Sequence, residues 1–150
     1  MEQKVKVQTR EQRLLDTHVS DLCRVLKIKK PNYNFYYLKL QSKTEGVTLN
    51  NPGKISVGLH RRCDEYTAAA EAGHVAHLQA IKLFKSTYTD CFGEVFDYLS
   101  QYRLAVARED KKKLRELMPT FKNVENILFN SEFWLDLSRD KWLKKIVIIY

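Results

Sequence analysis

Glycine, proline and cysteine are all scarce in this chain. Five glycines and three prolines among 150 residues leave little room for long irregular loops. The three cysteines, Cys23, Cys63 and Cys91, are odd in number, far apart and without a Cys-x2-Cys pair. They predict reduced thiols, not a disulfide framework, and hence a cytoplasmic or nuclear location. No apolar run approaches the ~20 residues needed to span a bilayer, so a membrane is not expected as a partner. The opening MEQKVKVQTREQR is too polar for a secretory signal, and its acidic residues speak against a mitochondrial presequence. Also missing are a glycine-rich phosphate loop, a Gly-x-Ser-x-Gly elbow and a nucleophile beside an obvious base. The expectation is a protein that is not an enzyme and carries no cofactor.

Acidic residues are the next scarcity, but only in the first part of the chain. Met1–Cys63 holds 13 Lys and Arg against 5 Asp and Glu, a net charge of +8. Asp64–Tyr150 holds 13 of each and is neutral. All the excess charge therefore sits in less than half of the sequence. A field of that one-sidedness attracts polyanions and speeds their encounter.

What is present reads as a globular α+β chain. Hydrophobic residues make up 44% and charged residues 29%, enough for a single domain over residues 1–150 with about two-thirds of its unfolded surface buried. Its basic part is 1–63 and its neutral part 64–150. Thr9 with Gln12 forms a capping-box start, and Leu15, Val19, Leu22 and Leu26 recur at helical spacing, which predicts a helix over about 10–27 stopped by Pro31. From Asn34 the period becomes two. Alternation over 34–40, 47–49 and 54–60, with turns at 42–46 and 50–53, predicts a three-stranded antiparallel meander. If Tyr36, Leu38 and Leu40 of its first strand face the core, then Phe35, Tyr37 and Lys39 face outward, either as a stacking surface or covered by a helix from 64–150 so that both faces are buried. After Asp64, a helix cap, the rest reads as a C-terminal helical bundle. It includes a small-residue face (Ala69, Ala72, Gly73, Ala76, Ala80), a helix from Phe92 towards Met118, and helices after Thr120 and Ser131. The apolar end, Ile146–Tyr150, docks intramolecularly or meets a partner.

Cations interleave with aromatics between Lys27 and Lys39. Single-stranded nucleic acids need both, since phosphates attract Lys and Arg while unstacked bases lie against rings. The expected nucleic-acid-binding residues are Lys27, Lys29, Lys30, Tyr33, Phe35, Tyr37, Lys39, Lys54, Arg61 and Arg62, with the seven cations on one face. Arg61 and Arg62 would sit beside a helix start, where free backbone N–H groups already favour phosphate. The run Lys111–Lys113 is flanked by Glu109, Asp110 and Glu116 and reads as a solvated helix face. His60, Cys63, His74 and His77 have the spacing of four zinc ligands but lack the cysteine knuckle, so no metal is assigned. The leading expectation is a non-catalytic nucleic-acid-binding protein, with RNA favoured over DNA. Its rival is a protein–protein adaptor or assembly subunit, with self-association through the C-terminal helices.

Overall fold

Thr9 opens the first helix as its spacing predicts. Its hydroxyl accepts the Gln12 N–H at 3.4 Å, and the Gln12 side chain accepts the Thr9 N–H at 3.0 Å. Helix α1 runs over Arg10–Leu26 and buries Leu15, Val19, Leu22 and Leu26 along one stripe. It ends before Pro31 is reached. Lys27 turns left-handed (φ 56°), and the Ile28 N–H closes on the Cys23 carbonyl at 3.0 Å. The computed structural model describes residues 8–51, 54–84 and 91–117.

Three strands follow: β1 Tyr33–Tyr37, β2 Gly46–Asn51 and β3 Lys54–Leu59. The hairpin β2–β3 is antiparallel, as its turn residues predict. The meander is not completed, however, because the sheet order is β1-β3-β2 and β1 lies parallel to β3. Alternation specifies a strand and its buried face, but it is silent on the neighbour. Strand β3 has the strongest apolar pattern, Ile55, Val57 and Leu59, all buried, and it takes the centre, where both flanks are covered. The eight residues between β1 and β2 are long enough for the chain to cross to the far side.

A second difference concerns β1. Pairing of Tyr33, Phe35 and Tyr37 with Ile55, Val57 and Leu59 puts these three rings on the core side. Tyr36 lies on the opposite face and is 37% exposed. The expected orientation is thus reversed, because the two tyrosine hydroxyls meet carboxylates on α1, a satisfaction that buried Tyr requires.

Helix α2, Glu65–Phe84, begins where Asp64 accepts the Thr67 N–H at 2.9 Å. Its small residues Ala68, Ala69, Ala72, Ala76 and Ala80 are buried. A Cβ at Gly73 would stand 2.5 Å from the Phe96 carbonyl oxygen, so the expected close approach is real and its partner is α3, Cys91–Ala107. Helix α2 also packs against α1 and the inner face of the sheet. The helix predicted towards Met118 is interrupted. Glu109 adopts φ 53°, and Asp110 then caps α4, residues 111–117, by accepting the Lys113 N–H at 3.0 Å. The expected helices after Thr120 and Ser131 and the apolar end Ile146–Tyr150 lie outside the described residues. The fold is mixed α+β.

Candidate interaction surfaces

The sheet registers determine where the predicted cations go. Lys30 and Lys54 stand at the Tyr33–Ile55 end of the sheet, and Lys27 and Lys29 lie in the connection leading to it. Lys39, Arg61 and Arg62 stand beyond Tyr37 and Leu59, at the opposite end. Four residue steps of ~3.3 Å separate Tyr33 from Tyr37, so the two groups are at least about 13 Å apart along the strand. All seven are exposed and are divided between the two ends of the sheet. Lys30 is engaged, holding Asp16 at 2.5 Å, and Arg61 lies over the Tyr37 ring.

The aromatic residues expected to meet bases are turned inward. Tyr33 Oη donates to Asp16 at 2.8 Å, and burial followed by that hydrogen bond pushes the phenol far above its ordinary value. Burial opposes ionisation of Asp16, but hydrogen bonds from Lys30 and Tyr33 outweigh it and hold the carboxyl below the usual range. Tyr37 Oη donates at 3.0 Å to Glu11, a carboxylate only 9% exposed. Phe35 meets the Tyr37 ring edge-on at 5.0 Å, and the Arg61 guanidinium lies 4.0 Å from its centroid. Helix α1 therefore runs antiparallel to β1, its Glu11 over Tyr37 and its Asp16 over Tyr33.

The opposite face of the sheet is open among the described residues. Helices α1 and α2 both reach the inner side, through Glu11 and Asp16 and through Glu71, which accepts the Thr48 hydroxyl. The outward positions are Asn34 and Tyr36 on β1, Val47 and Leu49 on β2, and Lys54, Ser56 and Gly58 on β3. None is acidic. Leu49 is 45% exposed, and Leu40, just past β1, is 69% exposed. The Tyr36 ring lies across Gly58, where an added Cβ would fall 2.6 Å from Cε2, and Leu38 closes in beside it. Residues Tyr36–Lys39 with Gln41 and Ser42 line a depression of about 670 Å³ at one margin. Lys39, Lys43 and Lys54 are exposed around this apolar strip. Sequence reasoning placed Tyr36, Leu38 and Leu40 in the core and so missed this surface. Its one legible signal was Gly58, a glycine inside the central strand, which marks a close approach.

A second depression, about 320 Å³, lies between α1 and the β1 edge. Gln12 and Asp16 of the helix and Gln8 ahead of its cap line one side, and residues 30–35, Pro31 included, line the strand side. A third, about 370 Å³, separates α1 from α3 and is lined by His18, Asp21, Ser100, Tyr102 and Arg103. Its charges are mutually engaged. Arg103 holds Asp21 at 3.0 Å, His18 meets Glu65 at 3.0 Å, and Arg108 pairs with the same Glu65.

Burial pushes the Cys23 and Cys63 thiols up to about 11, away from the reactive thiolate. No group of three or more His, Cys, Asp or Glu among the described residues could hold a metal ion. Of the zinc-spaced residues, His60 meets the Leu40 carbonyl at 3.2 Å and His74 meets Asp97 at 3.1 Å. No described helix is long and apolar enough to cross a membrane. No protein-family model, curated protein or solved structure matches the chain.

Proposed function

We propose that the chain is a non-catalytic recognition module, an adaptor or assembly subunit, whose open sheet face receives a protein partner. The observation that carries this reading is the composition of that face. Leu38, Val47 and Leu49 flank a single ring, Tyr36, with exposed Leu40 in the turn just past β1, and an aliphatic strip of this kind is complementary to apolar side chains. The lysine rim and the lack of outward acids select a partner that flanks its apolar residues with Asp or Glu.

Selection of a phage-displayed library of random 20-residue peptides on the full chain, in 0.15 M salt, tests this. Recovered peptides should combine apolar residues with Asp or Glu. The double variant Leu40→Glu, Leu49→Glu changes only exposed positions and should weaken their binding by ~10-fold or more.

A second reading rests on Tyr36. Its ring, laid over Gly58 between Lys39 and Lys54, is a platform on which a base of single-stranded RNA could stack. A labelled 20-nucleotide oligouridine separates the two. Tight binding whose logarithm falls steeply with the logarithm of salt, and which Tyr36→Ala abolishes, would replace the protein reading with this one.

A further inference from the structure

Strand β1 is an edge of the sheet, and the parity of its hydrogen bonds is known. The Leu38 N–H donates to the Leu59 carbonyl at 3.0 Å, continuing the parallel ladder. In a parallel pair only alternate residues bond to a given neighbour. Asn34, Tyr36 and Leu38 therefore point their backbone groups at β3, while Tyr33, Phe35 and Tyr37 point theirs away from the sheet. No hydrogen bond among the described residues engages these outward N–H and C=O groups.

Proteins usually blunt such an edge with Lys, Pro, a bulge or a covering element. The five residues Tyr33-Asn34-Phe35-Tyr36-Tyr37 carry no charge and no proline. Beside them lies the 320 Å³ depression rather than a packed helix. Along one wall Gln12 and Asp16 stand one turn apart on α1, with Gln8 just ahead of the Thr9 cap, so the first turns of α1 run beside the groove.

We infer that this edge is a docking site for an extended peptide of a partner protein, which joins the sheet as a fourth strand beside β1. The backbone geometry decides the occupant. Outward donors and acceptors on alternate residues, about 6.6 Å apart, are matched by another β-strand and by no nucleic acid or small anion. The groove sets the side chains. On the helix side the peptide meets Gln8, Gln12, Asp16 and Lys30, which select hydrogen-bonding residues. On the opposite side its residues extend the apolar strip of Tyr36 and Leu38. The partner segment is therefore extended and alternates polar with apolar.

This inference rests on the protein-recognition reading but uses a different surface, so the two can fail separately. The random 20-residue library is selected a second time, on the Leu40→Glu, Leu49→Glu chain, whose open face is spoiled and whose β1 edge is intact. Amide hydrogen exchange of the folded chain is then followed residue by residue by NMR. In the free chain Asn34, Tyr36 and Leu38 should exchange slowly, and Tyr33, Phe35 and Tyr37 fast. With a selected peptide at ~10 times its Kd the latter three should slow by ~10-fold. Slow exchange of these three in the free chain at every protein concentration would mean that the chain covers its own edge. Slowing only at high protein concentration would mean a second copy covers it. Either result overturns the proposal, as do peptides that bind without protecting the three amides. If the double variant selects nothing while the unaltered chain does, the edge site fails and the open face stands. If neither selects anything, both fail.

Discussion

Tyr37 shows how one hydroxyl decides the sense of a strand. An apolar ring with a polar tip can face either way. Here the tip finds Glu11 on α1, the ring edge finds Phe35, and the exposed ring face is covered by Arg61. Removing only the hydroxyl isolates the first of these. Tyr37→Phe leaves the Glu11 carboxylate, 9% exposed, short of a donor and should cost about 1–3 kcal/mol. Tyr37→Ala adds the lost packing and should cost about 3–5 kcal/mol. Urea unfolding of both variants checks this. A Phe variant as stable as the parent would show that Glu11 is satisfied by other means. Neither variant should abolish binding at the open face, which centres on Tyr36, since Tyr37 borders only the depression at its margin.

At the scale of elements, the tightest junction is between α2 and α3. Gly73 has no Cβ because the Phe96–Asp97 backbone occupies that space. Gly73→Ala gains about 1 kcal/mol of helix propensity. Backbone atoms 2.5–2.8 Å from the new methyl cannot move aside as a flexible side chain would. The two helices must part, and the net result should be a loss of about 1–3 kcal/mol, seen as a lowered thermal midpoint. A raised midpoint would mean that the helices slide apart at no cost. This junction was legible in the sequence as a run of small residues at helical spacing, and so were the α1 stripe, the Thr9 box and the β2–β3 turn. These features are local. The position of β1 was not legible, because its pairing with β3 depends on competition between distant segments for the central place. The sense of its faces was not legible either. Both faces of Asn34–Leu40 carry apolar residues, and the deciding carboxylates, Glu11 and Asp16, lie on another element. The candidate surface inherited both misreadings. The rings chosen for exposure, Tyr33, Phe35 and Tyr37, are half-buried, while Tyr36 and Leu38, assigned to the core, line the open face. The break at Glu109 likewise has no signal, since a left-handed φ at a non-glycine residue follows from packing and not from propensity.

Over the whole molecule, local pairs take up acids, while Lys27, Lys29, Lys39, Lys43, Lys54, Arg61 and Arg62 remain exposed. Asp16 takes Lys30, Asp21 takes Arg24 and Arg103, and Glu65 takes Arg108 and His18. The last group ties α1 to α2 and to the end of α3, and it contains the titratable ring of His18. Burial disfavours the imidazolium at His18. The negative charge of Asp21 works against that effect and the positive charge of Arg108 adds to it, leaving the ring below its ordinary value of 6.5. The folded state therefore binds fewer protons than the unfolded chain as pH falls through 6.5. Stability is complete above that value and should decline as pH drops below it, levelling off once the folded-state value is passed. A second decline belongs to the carboxylates. Hydrogen bonds and charges from their cationic partners outweigh burial and hold Asp16 and Asp21 below 3.8, so their contribution persists until pH falls to about 4 and is lost beneath it. Urea midpoints measured from pH 8 to pH 3 should thus show two separate drops. His18→Gln keeps a donor towards Glu65 but cannot titrate, and it should remove the upper drop while leaving the lower one in place. If the upper drop survives in that variant, the burden of protonation near pH 6 lies with another histidine, and the α1–α2–α3 charge cluster does not sense pH.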